Sequence, residues 1–185
     1  MSVTSSRKSL CLILDSANSF SKFPTFFSPD LPTIYSFPEV KHLERNSLLT
    51  TIDLGKEWEV SFLFYPDHFW NGGFIAISQD LTKPSAYGFK IMFHPYKLMH
   101  VKFQGNNTEI HKDFLPLPPK NQWTSITASQ TKTGILTIML GGVWQKSYTS
   151  ENPHTQEFRE MNVYASDPWS IATPGYICGL TIKSQ

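Results

Sequence analysis

From Leu48 onward, apolar and polar residues alternate with a period of two, and turn-forming residues interrupt the pattern about every ten positions. Trp58, Val60, Phe62 and Phe64 share one face of a predicted strand, Glu57, Glu59 and Ser61 take the other, and Pro66-Asp67 ends it. Asn71-Gly72-Gly73 launches a short run, Phe74 to Ile77. Phe89, Ile91 and Phe93 then point inward, with Lys90 and His94 outward, until Pro95. Met99, Val101 and Phe103 alternate with His100, Lys102 and Gln104. Gly105-Asn106-Asn107 has the chemistry of a tight hairpin turn, and Thr108 to Phe114 is expected to run back. Trp123–Gln130 reads as a Thr/Ser/Ile-rich strand. Thr133-Gly134 turns into Ile135–Leu140, apolar on both faces and so expected to be central, and Gly141-Gly142 turns again into Val143–Tyr148. Residues 151–160 read as an irregular connection. Met161, Val163 and Ala165 mark one further strand and Tyr176–Lys183 the last. No segment carries a helical period. The pattern predicts an all-β chain, an antiparallel two-sheet jelly-roll sandwich of about a dozen strands.

Residues 1–47 have a different texture. Phe23-Pro24, Ser28-Pro29, Leu31-Pro32 and Phe37-Pro38 forbid helix and interrupt strand ladders. This part is expected to be a Pro/Ser-rich lead-in with a possible edge strand, ahead of a sandwich over 48–185. Its Arg7-Lys8-Ser9 followed by Leu10-Cys11-Leu12-Ile13-Leu14 imitates a secretion signal. That apolar run meets Asp15 after five residues, short of the roughly 7–15 a signal core needs, and reads as a strand or a ragged start.

Composition narrows the classes further. Sixteen basic and fifteen acidic residues leave a net charge of +1, which gives no electrostatic case for nucleic acid or an anionic membrane. No apolar run approaches the ~18 residues of a membrane-spanning helix. With 14% aromatic and 17% charged residues, the chain is too rich in core-forming side chains to be disordered. Its two cysteines, Cys11 and Cys178, exclude a thiolate-built zinc site. Two readings of them stand. Cys178 alternates with Tyr176, Leu180 and Ile182 and acts as a small buried apolar residue; alternatively it pairs with Cys11, closing nearly the whole chain and contributing up to ~5 kcal/mol.

Three segments together carry a family resemblance. They are Lys56-Glu57-Trp58-Glu59-Val60-Ser61-Phe62, then Asn121-Gln122-Trp123-Thr124 through Ser129-Gln130, then Phe158 through Val163-Tyr164-Ala165-Ser166-Asp167-Pro168-Trp169 and Pro174-Gly175-Tyr176-Ile177. In that order they resemble the concanavalin A-like jelly-roll modules, laminin G-like and lectin-like, of secreted and cell-surface animal proteins. The resemblance covers roughly Leu48 to Lys183. It implies terminal strands lying side by side and a role in binding or adhesion outside the cell, but it fixes no ligand, because this superfold hosts lectins, glycosidases and protein-binding modules.

Catalytic motifs are sparse. Glucanases of the superfold carry Glu-x-Asp-x-(x)-Glu on one strand, and no such run exists here. Glu57 and Glu59 would lie about 7 Å apart on one strand face, in the range for an inverting glycosidase pair, yet nothing flanks them as a third acid. The histidines at 42, 68, 94, 100, 111 and 154 are dispersed, with no His-x-x-x-His spacing. Neither Gly-x-Ser-x-Gly nor a phosphate-cradling glycine loop occurs. The chain is therefore expected not to be an enzyme, with a glycoside hydrolase using Glu57 and Glu59 as the minor alternative. Relatives in the family often hold calcium, for which Asn71, Asp80, Asp113 and Asp167 are the available oxygens; no cofactor is expected otherwise.

Aromatic residues outside the core pattern are the better candidates, because an indole stacks on the C–H face of a sugar while neighbouring amides bond its hydroxyls. Trp70 with Asn71 forms one such group, and Trp144 with Gln145 and Tyr148 forms another. Trp58, Trp123 and Trp169 fall in strand or corner blocks and are expected in the core. Asn106-Asn107-Thr108 is a glycosylation acceptor on a predicted hairpin tip. The expected function is glycan or glycoprotein recognition by an extracellular or cell-surface module; the alternative is an adhesion or structural module binding another extracellular protein.

Overall fold

The computed structural model describes residues 31–68, 72–79, 87–94, 98–104, 110–149 and 158–185. Thirteen strands occur among them: β1 (Thr33–Phe37), β2 (Lys41–His42), β3 (Leu48–Leu54), β4 (Trp58–Pro66), β5 (Gly72–Ser78), β6 (Tyr87–His94), β7 (Leu98–Gln104), β8 (Ile110–Leu115), β9 (Thr124–Gln130), β10 (Ile135–Leu140), β11 (Val143–Thr149), β12 (Phe158–Tyr164) and β13 (Gly175–Ser184). All strand pairings are antiparallel. A seven-stranded sheet runs β1-β13-β4-β9-β10-β11, with β2 also on β13, and a six-stranded sheet runs β3-β12-β5-β6-β7-β8. The chain is an all-β two-sheet sandwich.

The period of two explains the layers. Trp58, Val60, Phe62 and Phe64 from one sheet meet Phe74, Ile75, Ile77, Phe89, Ile91 and Phe93 from the other in one continuous core. Phe64 stacks on Phe74 at 4.3 Å with an interplanar angle of 7°, an offset-stacked pair that gains beyond its buried area. β1 pairs with β13, so the first and last described strands lie side by side. The hairpin turn expected at Gly105-Asn106-Asn107 and the glycosylation triplet lie outside the described residues.

The structure departs from the sequence pattern in three places. β10 is not central: it is next to the edge strand β11, and its outward-facing apolar positions Ile135 and Met139 stay partly open. Cys178 does not share a face with Leu180 and Ile182. A bulge between Cys178 and Thr181, with Gly179 at φ 61°, inserts one residue into β13 and flips the alternation. Leu180 and Ile182 enter the core while Cys178 meets Leu63 on the outer face. Of the three tryptophans expected in the core, only Trp58 enters it. Trp123 and Trp169 are half-buried on outer faces, packing respectively against Leu63 with Cys178 and against Ala76 with Tyr164; Trp123 continues the outward phase of β9, opposite to Ile126 and Ala128.

Lys90 points outward as expected, yet it is buried. The loop after β12 folds over the outer face of the six-stranded sheet, bringing Asp167 and Ser170 against the lysine. The same loop is clamped to the chain before β3: Arg45 Nε donates to the Pro168 carbonyl at 2.8 Å, and Ala165 N to the Ser47 carbonyl at 2.9 Å. The Val163–Trp169 block thus has a structural use, folding a corner back onto the sheet.

Candidate functional site at an aromatic corner

At one end of the seven-stranded sheet, strand register lines up four rings on the outer face. Tyr65 is two residues beyond Leu63 on β4, Tyr176 faces it across the ladder from β13, and His42 faces Tyr176 from β2. Trp123 immediately precedes Thr124, the β9 partner of Phe64, and so stands beside Tyr65. The rings form a chain of edge and tilted contacts: His42 to Tyr176 at 5.1 Å, Tyr176 to Tyr65 at 6.3 Å, and Tyr65 to Trp123 at 5.3 Å. Tyr65, Tyr176 and Trp123 are half-buried and the His42 side chain is 51% exposed.

The backbone around the rings is tightly fixed. Asn121 adopts φ 58° and donates its N–H to the Pro66 carbonyl at 2.9 Å, a left-handed turn that asparagine tolerates. Asp67 N bonds the Pro174 carbonyl at 3.0 Å, and Leu43 N bonds the Gly175 carbonyl at 3.0 Å. Gly175 is required there, because a Cβ would sit 2.4 Å from the Tyr65 carbonyl oxygen. Beneath the rings, Trp123 packs on Leu63 and Cys178 beside Val40. Its Nε1 is buried without a hydrogen-bond partner, an uncompensated donor at the edge of the corner.

The residues singled out from sequence fall as follows. Trp70 and Asn71 lie outside the described residues. Trp144, Gln145 and Tyr148 are on β11, where register sets Trp144 opposite Met139 and Tyr148 opposite Leu136 across a bulge. Leu136 belongs to the core, and Met139 is one position out of phase with it. Glu57 and Glu59 do lie on the outer face, but each has its own lysine: Lys132 at 3.7 Å and Lys183 at 3.4 Å.

Of the four oxygens considered for calcium, Asn71 and Asp80 lie outside the described residues, and Asp113 is on β8. Asp167 does not fit a calcium ligand. Its Oδ1 accepts the N–H groups of Trp169 and Ser170 at 2.9 and 2.7 Å, and its Oδ2 is 2.5 Å from the Lys90 ammonium. A lysine already occupies the place of the cation. Burial lowers the Lys90 pKa, and the hydrogen bond and charge of Asp167 oppose that shift.

Sequence reasoning missed Tyr65, Tyr176 and His42. Tyr65 and Tyr176 each continue an ordinary strand alternation, and the register that brings them together joins positions 65 and 176. The outward phase of Tyr65 relative to Phe64 was the available signal.

No family model matches the chain, and no curated protein is similar to it in sequence. Solved structures similar to it include the receptor binding domain of botulinum neurotoxin D, at a TM-score of 0.58 and 13% identity over 83% of this chain and 49% of that one. The serotype D ligand binding domain in complex with N-acetylneuraminic acid is similar at 0.58 and 13% over 83% and 47%. The receptor binding domain of type G gives 0.51 and 14% over 83% and 48%. The chain thus spans about half the length of these domains, and the likeness is one of fold.

Proposed function

We propose that the chain is a non-enzymatic recognition module of lectin-like, jelly-roll type that binds glycans at the aromatic corner. The observation that carries this reading is the row Tyr176–Tyr65–Trp123, half-buried, with both tyrosines set opposite each other by sheet register. Partly presented rings offer apolar faces to the C–H side of a sugar. The exposed His42 imidazole supplies a polar contact at the rim.

The fold neighbours support a binding module, since they are receptor binding domains and one is a complex with N-acetylneuraminic acid. A place outside the cell is supported by the state of Cys178, which is disulfide-bonded, a condition that persists in oxidising compartments. A glycan array probed with the purified chain, with and without calcium, tests the reading. Saturable binding to one glycan class supports it. A blank array from folded protein transfers the function to a protein partner, and pull-down from extracellular extract follows.

A further inference from the structure

The ring row of the corner has a direction and a repeat, and both bear on what fits it. His42 stands on β2, Tyr176 on β13, Tyr65 on β4 and Trp123 at the entry to β9, so the row crosses four neighbouring strands rather than following one. Its spacing is inherited from the sheet, whose strands lie roughly 4.8 Å apart. Successive ring centroids follow at 5.1, 6.3 and 5.3 Å. Tyr176, Tyr65 and Trp123 are half-buried and His42 is exposed, so no member is closed off from solvent.

We propose that the corner takes a linear oligosaccharide, an extended chain of pyranoses laid across the strands with one sugar to each ring, and not a single terminal sugar. The inference rests on the reading of the corner as a glycan site. An equatorially linked pyranose advances its chain by about one strand spacing, so consecutive sugars meet consecutive rings. A lone sugar would cover one ring and leave the rest of the row wet. Polar groups stand at both ends of the row, where they meet the hydroxyls of the outer sugars. Asn121 and Gln122, both exposed, immediately precede Trp123. At the other end the His42 imidazole lies 3.8 Å from the exposed Glu44 carboxylate.

The tilts of the rings set aside a flat polysaccharide surface. Such a surface needs coplanar aromatics, whereas His42 and Tyr176 are inclined by 63°, Tyr176 and Tyr65 by 72°, and Tyr65 and Trp123 by 59°. Adjacent rings inclined this far cannot lie against one plane. A soluble single chain, free to turn about its glycosidic bonds, can present each sugar at the angle its ring requires.

Calorimetric titration of wild type and His42→Ala with cello-, laminari- and chito-oligosaccharides, from the monosaccharide to the hexasaccharide, tests it. In one of these series affinity is expected to rise about three- to tenfold for each sugar that gains a ring, and to level off at the tetrasaccharide. His42→Ala, at an exposed position, is expected to bring that plateau one sugar earlier. Equal affinity for monosaccharide and hexasaccharide overturns the inference while leaving the corner a glycan site, as does a length profile unchanged in His42→Ala. Binding confined to insoluble cellulose or chitin overturns it too, and so do oligosaccharides that fail to bind when the array yields another glycan. A blank array together with silent oligosaccharides removes the reading of the corner and the inference with it.

Discussion

Lys90 Nζ and Asp167 Oδ2 are 2.5 Å apart on the outer face of the six-stranded sheet, with side chains 4% and 0% exposed. The pair is held from both ends. Lys90 also donates to Ser170 Oγ at 2.7 Å, while the carboxylate caps the amides of Trp169 and Ser170. Gly73 makes room, since a Cβ there would lie 3.0 Å from Asp167 Oδ2. The pair fastens the 165–173 loop to the sheet and so holds the start of β5, where Thr173 Oγ1 donates to the Gly72 carbonyl at 2.8 Å.

Breaking this pair from one side leaves an uncompensated buried charge. Lys90→Met or Asp167→Asn alone is expected to cost about 3–5 kcal/mol. The double variant Lys90→Met/Asp167→Asn is expected to cost less than the sum of its single changes. Urea denaturation of the four proteins measures the coupling, and additive losses would remove the pair from its anchoring role.

Gly175→Ala sets a methyl against the Tyr65 carbonyl at the corner. It is expected to destabilise the chain by about 1–3 kcal/mol and to disturb the contact between Tyr65 and Tyr176. Thermal melting reads the first effect and near-ultraviolet circular dichroism the second. An unchanged melting temperature would contradict the close approach of β13 to β4.

Alkali is expected to weaken the fold in part through Tyr164. Burial raises its hydroxyl pKa above the usual 10, and the negative charge of Asp167 adds to the rise. Below pH 10 the phenol is neutral in both folded and unfolded chains. As pH climbs from there toward the raised folded value, the unfolded chain loses the proton first, so stability falls. Tyr164→Phe is therefore expected to flatten the decline above pH 10 in denaturation curves; an identical alkaline slope would show that Tyr164 does not contribute.

The strands were legible because each reports its own phase: Trp58 to Phe64 and Phe89 to Phe93 name their buried faces without outside help. What depends on register was not. The bulge at Gly179 shifts Cys178 to the outer face with no change in the local alternation of residue types. Lys90 reads as solvated until Asp167, distant in sequence, folds over it. The aromatic corner has the same origin, since Tyr65, Trp123 and Tyr176 come from three strand regions and become neighbours only through the ladder. Trp70 and Asn71 were chosen for breaking a pattern, whereas the residues of the corner follow theirs.

The central claim is that the corner binds a glycan. Its most direct test is calorimetric titration of wild type and Tyr176→Ala with a glycan selected on the array, sialylated and neutral oligosaccharides being the first probes. The account predicts binding by wild type, weakened at least about tenfold in the variant, which corresponds to ~1.4 kcal/mol, with the melting transition retained. Equal affinity in a folded Tyr176→Ala protein would contradict it.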